Sequence, residues 1–417
     1  MSSSLPSYPE AAAIVAAYAQ KLAQIEHPVE TVDLAEAASR ILAEPLLADD
    51  DQPPFARSTR DGFACRAAEV NAHGFLPLVG STRAGDAPSG PLLPGTAWEI
   101  MTGAPVPTGA DAVVMIEHVE TSAAGIRLQP NRKLARGENI VPQGAQAGRG
   151  DELLPAGTPI TYAQIALAAA CGYTSLNVFA RPRVAILTTG DELVSVDTKP
   201  TPGQIRNSNA PMLAALVAAA GGDPWVLPTA HDNLESLDAA LAEAAATDLL
   251  LLSGGVSAGK FDLVEPAMAR LGARFHFTGV RMQPGKPLVF GRIPNRSRQG
   301  GQFFFGLPGN PVSTAVTFLL FGAPVLAALA GSRNAVPRFA LARLTADTDR
   351  RAKPGLTRFL PAFCNFNPQP GHLPSVELVP WQGSGDLAAQ ARSNCLLVIG
   401  EDTSTLRAGE TVQILLS

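Results

Sequence analysis

Cysteine is scarce in this chain of 417 residues: the four, Cys65, Cys171, Cys364 and Cys395, stand far apart and form no Cys-x-x-Cys pair. That spacing excludes a zinc module or a disulfide framework and predicts buried thiols in a reducing compartment. Charge is also thin. Only 17 % of residues are charged, and 32 Lys+Arg against 37 Asp+Glu give a net −5, so no basic field draws in nucleic acid or an anionic membrane. Any anion site must therefore be local. The six histidines form no ligand-spaced pair, and the chain has no Gly-x-Ser-x-Gly elbow, Walker loop or catalytic Cys/His signature, which removes support for hydrolase, kinase and zinc-enzyme readings. No basic segment followed by an apolar run opens the chain, so no secretory signal is read and a cytoplasmic location is expected. The charge-free run 312–331 is nearly long enough to span a bilayer, but Pro324 interrupts it and polar Ser313, Thr314 and Thr317 crowd its start. A buried helix covering a sheet is expected there, not a membrane span.

What the chain has in quantity is apolar residue, 46 % of the whole, enough for several packed cores in a chain too long for one ordinary domain. Ser7-Tyr8-Pro9-Glu10 is a capping box before an Ala-rich helix, and Asp33-Leu34-Ala35-Glu36 predicts a second helix start. Residues 53–139 change to short apolar runs between Gly and Pro turns, a small β domain. Helical pattern returns at 161–171, so the β domain reads as an insertion into a discontinuous helical platform of residues 1–52 plus 140–180. From 181 to 333 strand and helix patterns alternate: 184–187, 211–220, 249–252, 303–305 and 311–329. That is a doubly wound α/β domain, whose strands, buried on both faces, read as continuous apolar runs. Short alternating stretches from 334 to 417 predict a closing small β-barrel-like domain.

Three polar, glycine-bearing turns follow the clearest strands of the α/β domain: Thr188-Thr189-Gly190-Asp191-Glu192, Ser253-Gly254-Gly255-Val256-Ser257 and Gly306-Leu307-Pro308-Gly309-Asn310-Pro311-Val312-Ser313. Ligands of open α/β sheets bind beyond the carboxyl ends of the strands, so the three turns are expected to line one pocket. Gly254 and Gly255 let backbone amides and the Ser257 hydroxyl approach an oxyanion, and the helix opened by Pro311 presents amides of its own. Asp191, Glu192, Asp232 and Asp262 sit at or just past element ends, hard oxygen ligands of the kind Mg²⁺ takes beside a phosphate. For Asp232, capping of a helix from 234 to 246 is an equally good reading. Lys286, held between Gly285 and Pro287, offers one cation for an anion, with Arg281 near in sequence.

These residues resemble a known family, the molybdopterin molybdenumtransferases of the MoeA and gephyrin E-domain type. The resemblance runs over almost the whole chain, through Ser58-Thr59-Arg60-Asp61-Gly62, Met101-Thr102-Gly103-Ala104, Thr189-Gly190-Asp191-Glu192, Gly254-Gly255-Val256-Ser257 with Asp262, Pro284-Gly285-Lys286-Pro287, and the Gly306 to Ser313 turn. It implies an elongated homodimer of four domains per subunit, with the active crevice between the α/β domain of one subunit and the inserted β domain of its partner. The implied reaction takes adenylylated molybdopterin and molybdate, releases AMP and leaves molybdenum on the dithiolene sulfurs, with Mg²⁺ assisting. Carried over by position, Gly254, Gly255, Ser257, Lys286, Pro308, Asn310, Pro311, Ser313, Arg358 and Ser384 correspond to molybdate and phosphate contacts. Glu192, Asp232 and Asp262 correspond to acidic catalytic and metal residues, while Asp61 and Thr102 are those offered across the dimer. The resemblance also implies transient contact with molybdopterin adenylyltransferase and with apo-molybdoenzymes. Three positions depart from the pattern: Arg60 stands where Met is usual, Asp386 where an apolar residue is usual, and Gln283 where Lys also occurs. Two other readings keep the α/β domain: the adenylyltransferase that prepares molybdopterin, which lacks the extra domains, and a scaffold that holds molybdopterin without turnover.

Overall fold

The computed structural model describes residues 5–87, 90–255, 263–294, 301–348, 355–367, 371–403 and 405–416. Among these the chain forms two compact units, one of residues 1–31, 39–43 and 177–417, the other of residues 32–38 and 44–176.

The first unit is organised by a six-stranded mixed sheet. Its strands are β1 (Arg183–Thr188), β2 (Asp223–Val226), β3 (Leu249–Ser253), β4 (Arg274–Thr278), β5 (Val289–Ile293) and β6 (Gln302–Leu307), in the order β2-β1-β3-β6-β5-β4. β2, β1, β3 and β6 run parallel, and β5 and β4 extend the edge antiparallel. The four apolar residues of Leu249–Ser253 alternate between two cores. Leu249 and Leu251 face a cluster with helix α1 (Tyr8–Leu22), α2 (Asn209–Ala219) and the long helix α5 (Pro311–Leu329), while Leu250 and Leu252 face α3 (Leu234–Ala244) and α4 (Val264–Arg270). Burial on both sides explains the unbroken Leu run, and it confirms the doubly wound α/β reading. The strands 223–226, 274–278 and 289–293 were not legible as such: Asp223–Val226 and Arg274–Thr278 lie at the sheet edges and are partly exposed, so their apolar signal is weak.

α5 is by composition long and apolar enough to cross a membrane, yet most of it is buried inside the protein. Phe318, Leu320, Phe321, Val325 and Leu326 pack in the same cluster as α1 and the sheet, so its hydrophobicity is that of a core helix.

The capping box that opens α1 is complete. Glu10 N donates to Ser7 Oγ at 3.4 Å, and Glu10 Oε2 accepts from Ser7 N at 2.7 Å. Ser7→Ala removes the box, and a loss of about 1 kcal/mol is expected in a denaturant titration followed by far-UV circular dichroism. The second expected helix start is not one. Asp33 precedes a single 3-10 turn, Leu34–Glu36, without a side-chain cap, because Ser39 takes a left-handed φ of 63° and Ile41 and Leu42 go into bridge pairing.

The carboxyl-terminal strands β7 (Phe339–Leu344), β8 (Thr357–Asn365), β9 (Ser375–Leu378), β10 (Cys395–Ile399) and β11 (Thr411–Leu416) pair in the cycle β8-β9-β7-β11-β10-β8. This is the expected small barrel, closed because β8 pairs with both β9 and β10. The two-residue strand Met282–Gln283 attaches to β8 with Gln283 opposite Arg358.

In the second unit, Leu46–Leu47 pairs with Glu152–Leu154, Gln52 with Ala147, and Arg57–Ser58 with Ile140–Val141. These successive rungs close the base of the intervening stretch, which holds a four-stranded sheet and a three-stranded sheet. The stretch also contains a helix, Ala67–His73, that its sequence did not announce, since seven residues give barely two turns of period. The helix expected at 161–171 is Tyr162–Ala170, with Thr161 and Gln164 forming a capping box.

Candidate functional site

Because β1, β3 and β6 are parallel neighbours, their carboxyl ends lie on one edge, and the three glycine-bearing turns meet there as the sequence predicts. They line a cleft of about 890 Å³ with Thr189, Gly190 and Glu192 from the first turn, Ser253, Gly254 and Gly255 from the second, and Pro308, Gly309, Asn310 and Pro311 from the third. The turns are tied to one another. Thr189 N donates to the Ser253 carbonyl at 3.0 Å, and Gly254 N to the Leu307 carbonyl at 3.3 Å. Asn209, at the start of α2, donates through Nδ2 to Ser253 Oγ at 2.9 Å and to the Gly309 carbonyl at 2.7 Å, which fixes the orientation of its amide.

Gly254 has φ +98°, and a Cβ there would lie 2.5 Å from the Thr189 carbonyl oxygen. Only glycine fits. The tight apposition brings the second turn against the first. Ser257 and Asp262, expected on the same loop, lie outside the described residues.

Acidic side chains enter from two places. Glu192 lines the cleft, its carboxylate folded over Gly190, and Asp232 lines it from the loop after β2. The cap of α3 is Asn233, whose side chain accepts from Ser236 N at 2.9 Å, so the capping role weighed for Asp232 is filled by its neighbour. Asp232 and Asp191 are instead cross-linked. Asp191 Oδ1 accepts from the Asp232 amide at 3.3 Å and stands 3.0 Å from His231 Nδ1, and these two contacts, the histidine first, hold the Asp191 carboxyl below the ordinary carboxylate range. Among the described residues no three His, Cys, Asp or Glu side chains converge on a metal position. Glu192 and Asp232 both line the larger cleft.

A second, smaller cleft of about 360 Å³ adjoins the first and shares Pro287, Pro308 and Asn310 with it. Lys286, Ser313, Gln283, Trp381 and Ser384 line it. Arg358, paired with Gln283 through the backbone, stands on the strand next to this lining. The amino end of α5 is less open than its sequence implies. Pro311 carries no N–H, the Val312 amide already donates to the Ser384 carbonyl at 3.0 Å, and Asn310 Nδ2 donates to Ser384 Oγ at 2.9 Å. The helix end is therefore partly satisfied by the barrel loop, and Lys286 is the one cation among the described residues lining this cleft.

Asp386 is explained by structure. Its carboxylate accepts from Ala389 N at 2.9 Å and Gln382 N at 3.0 Å, capping the helix Leu387–Arg392 behind Ser384. In the second unit Asp61 accepts from Thr102 N at 2.7 Å and Thr102 Oγ1 at 2.9 Å, and these bonds lower its pKa. Arg60 is not a cause of that shift, and Ser58 instead bonds its backbone. Sequence reasoning passed over Arg206 and Asn209, both of which line the larger cleft. The one available signal was their place in the short polar run 206–209 just ahead of an apolar helix.

Family models match the chain in three stretches: a MoeA N-terminal region of domains I and II at residues 7–172, a probable molybdopterin binding domain at 185–328, and a MoeA C-terminal region, domain IV, at 343–417. A molybdopterin molybdenumtransferase of Nostoc sp. is 38 % identical over 333 residues, covering 78 % of this chain and 75 % of the relative. One from Bacillus subtilis is 35 % identical over 401 residues, covering 94 % and 91 %. Among solved structures, a molybdopterin biosynthesis moeA protein from Pyrococcus horikoshii superposes with a TM-score of 0.80 at 28 % identity, over 99 % of this chain and 100 % of that one.

Proposed function

From the premise that the chain belongs to the molybdopterin molybdenumtransferases, transferases that insert molybdenum in cofactor biosynthesis, we propose that adenylylated molybdopterin occupies the larger cleft and molybdate the smaller. The observation that carries this is the adjacency of the two: one is large and acid-walled, the other small and lysine-bearing, and they join at Pro287, Pro308 and Asn310. A tetrahedral dianion suits the smaller cleft, where Lys286 and the hydroxyls of Ser313 and Ser384 supply charge and donors, with Arg358 on the adjoining strand and Ser257 from the loop. Gly254, Gly255, Pro308, Asn310 and Pro311 shape the passage between the clefts.

Glu192 and Asp232 fit Mg²⁺, which keeps several waters and needs only one or two protein carboxylates beside substrate phosphates; we assign it to them together with Asp262. Bound there, the ion would offset charge on the pyrophosphate linkage. The chain's own residues hold the two substrates in register, so that a molybdate oxygen faces the linkage and the dithiolene sulfurs face molybdenum as AMP leaves. The pair Asp61 and Thr102 is assigned to the crevice of a partner copy in a homodimer, which requires Asp61 ionised, as its bonds to Thr102 favour. The four-domain division set out above, with α1 reaching from the platform stretch onto the α/β core, a cytoplasmic location, and passing contact with molybdopterin adenylyltransferase and apo-molybdoenzymes complete the proposal.

The test mixes purified protein, adenylylated molybdopterin, Mg²⁺ and molybdate. AMP release that requires molybdate is expected. Consumption of ATP with free molybdopterin would identify an adenylyltransferase, and binding without release would leave a scaffold. In the same assay Lys286→Ala is expected to raise the KM for molybdate about 10- to 100-fold, the loss of one charge-assisted contact. An unchanged KM would remove Lys286 from the oxyanion site.

A further inference from the structure

The larger cleft has a charge problem. It is walled by Glu192 and Asp232, yet it is to hold a substrate that is itself anionic. Among the described residues lining it, Arg206 is the one cation.

We propose that Arg206 contacts the pyrophosphate linkage of the substrate on the nucleotide side, an inference that rests on reading the larger cleft as the pterin-nucleotide site. The backbone around Arg206 is held on both sides. Ile205 N donates to the Glu192 carbonyl at 2.8 Å and Asn207 N to the Val194 carbonyl at 2.9 Å, so Ile205–Arg206 runs as a short parallel strand beside Leu193–Val194. Asn207, next along, is buried and anchored to Thr188 Oγ1 at 2.8 Å, and its Oδ1 accepts from Ala210 N at 3.1 Å. The backbone of Arg206 is thus fixed to the same turn that carries Glu192, while the side chain is exposed and enters none of the ion pairs formed among the described residues. A guanidinium carried on a fixed backbone, and unclaimed by the carboxylates that share its cleft, is available to take two phosphate oxygens at once. It also addresses the phosphates that Glu192 and Asp232 approach through a cation. A purely structural arginine, present only to offset Glu192, would change stability and leave nucleotide affinity alone.

AMP carries a linkage phosphate and is the probe. Calorimetric titration of AMP with Mg²⁺ present is expected to show affinity lowered about 10- to 100-fold in Arg206→Ala and Arg206→Gln, with part of the loss recovered in Arg206→Lys, the range for one charged hydrogen-bonding contact. Molybdate affinity and thermal midpoint should stay at the wild-type values. AMP affinity in both neutral variants equal to wild type would overturn the assignment while leaving the cleft reading intact. A wild-type protein that binds no AMP would overturn the cleft reading, and the assignment with it.

Discussion

Replacing Asp232 by alanine lowers the rate of molybdate-dependent AMP release on the order of a hundredfold, and it does so without lowering the stability of the fold. The second half of that expectation follows from Asn233. Since Asn233 caps α3 by accepting from Ser236 N at 2.9 Å, the neighbouring carboxylate is not needed to start the helix. What Asp232 does have is a place in the lining of the larger cleft, with its amide tied to Asp191 Oδ1 at 3.3 Å. Asp232→Ala keeps that amide and removes the carboxylate with its one long, exposed hydrogen bond, accepted from Asp191 N at 3.4 Å, a contact too weak to register in the stability of the fold. Asn233→Ala is the complementary experiment: about 1 kcal/mol of stability is lost with the cap, and the rate of AMP release is unchanged. Kinetics and denaturant unfolding on the two variants separate the roles. A wild-type rate in Asp232→Ala would show that the acidic wall takes no part in the reaction.

Gly254→Ala is expected to destabilise the first unit by about 2–4 kcal/mol and to abolish measurable turnover. Two costs add. An alanine at φ +98° is strained in itself, and its Cβ would press on the Thr189 carbonyl oxygen at 2.5 Å, a backbone atom that cannot swing aside. Relief would have to come from separating the first and second turns, which are joined by the bond from Thr189 N to the Ser253 carbonyl. The cleft wall would come apart with them. Gly309 in the same cleft is the control. It has no positive φ, and a Cβ there would meet only Gly254 Cα at an ordinary 3.7 Å, so Gly309→Ala should unfold with the wild type within about 0.5 kcal/mol. Equal stabilities for the two variants would mean that the Gly254 turn is not held as described.

Much of the architecture was readable along the chain because burial on two faces writes itself as uninterrupted hydrophobicity. The run 249–252, short and followed at once by a Gly-Gly turn within an alternating strand and helix pattern, reads as an inner strand with a loop at the sheet's edge. Local chemistry was legible too: Ser7 with Glu10 is a contact three residues apart, decided by the helix itself, whereas at 161–171 only the helical pattern was read and the box of Thr161 with Gln164 came from the structure. Asp33 with Glu36 has the same spacing and failed, because Ser39 and the pairing of Leu42 with Val178 claimed the following backbone for other geometry.

Composition and order along the chain were enough to establish the α/β class, the closing barrel, the three convergent turns and the family, since all of these depend on local periodicity and on motifs of adjacent residues. Three-dimensional packing alone decided that Ser384 occupies an amide at the head of α5, that Asn233 frees Asp232 from capping, and that Arg206 and Asn209 share a cleft with turns some fifty to a hundred residues distant in the chain. Each of these is a contact between segments remote in sequence, whose outcome rests on which of several capable side chains reaches a donor or acceptor first, and no local pattern records that competition.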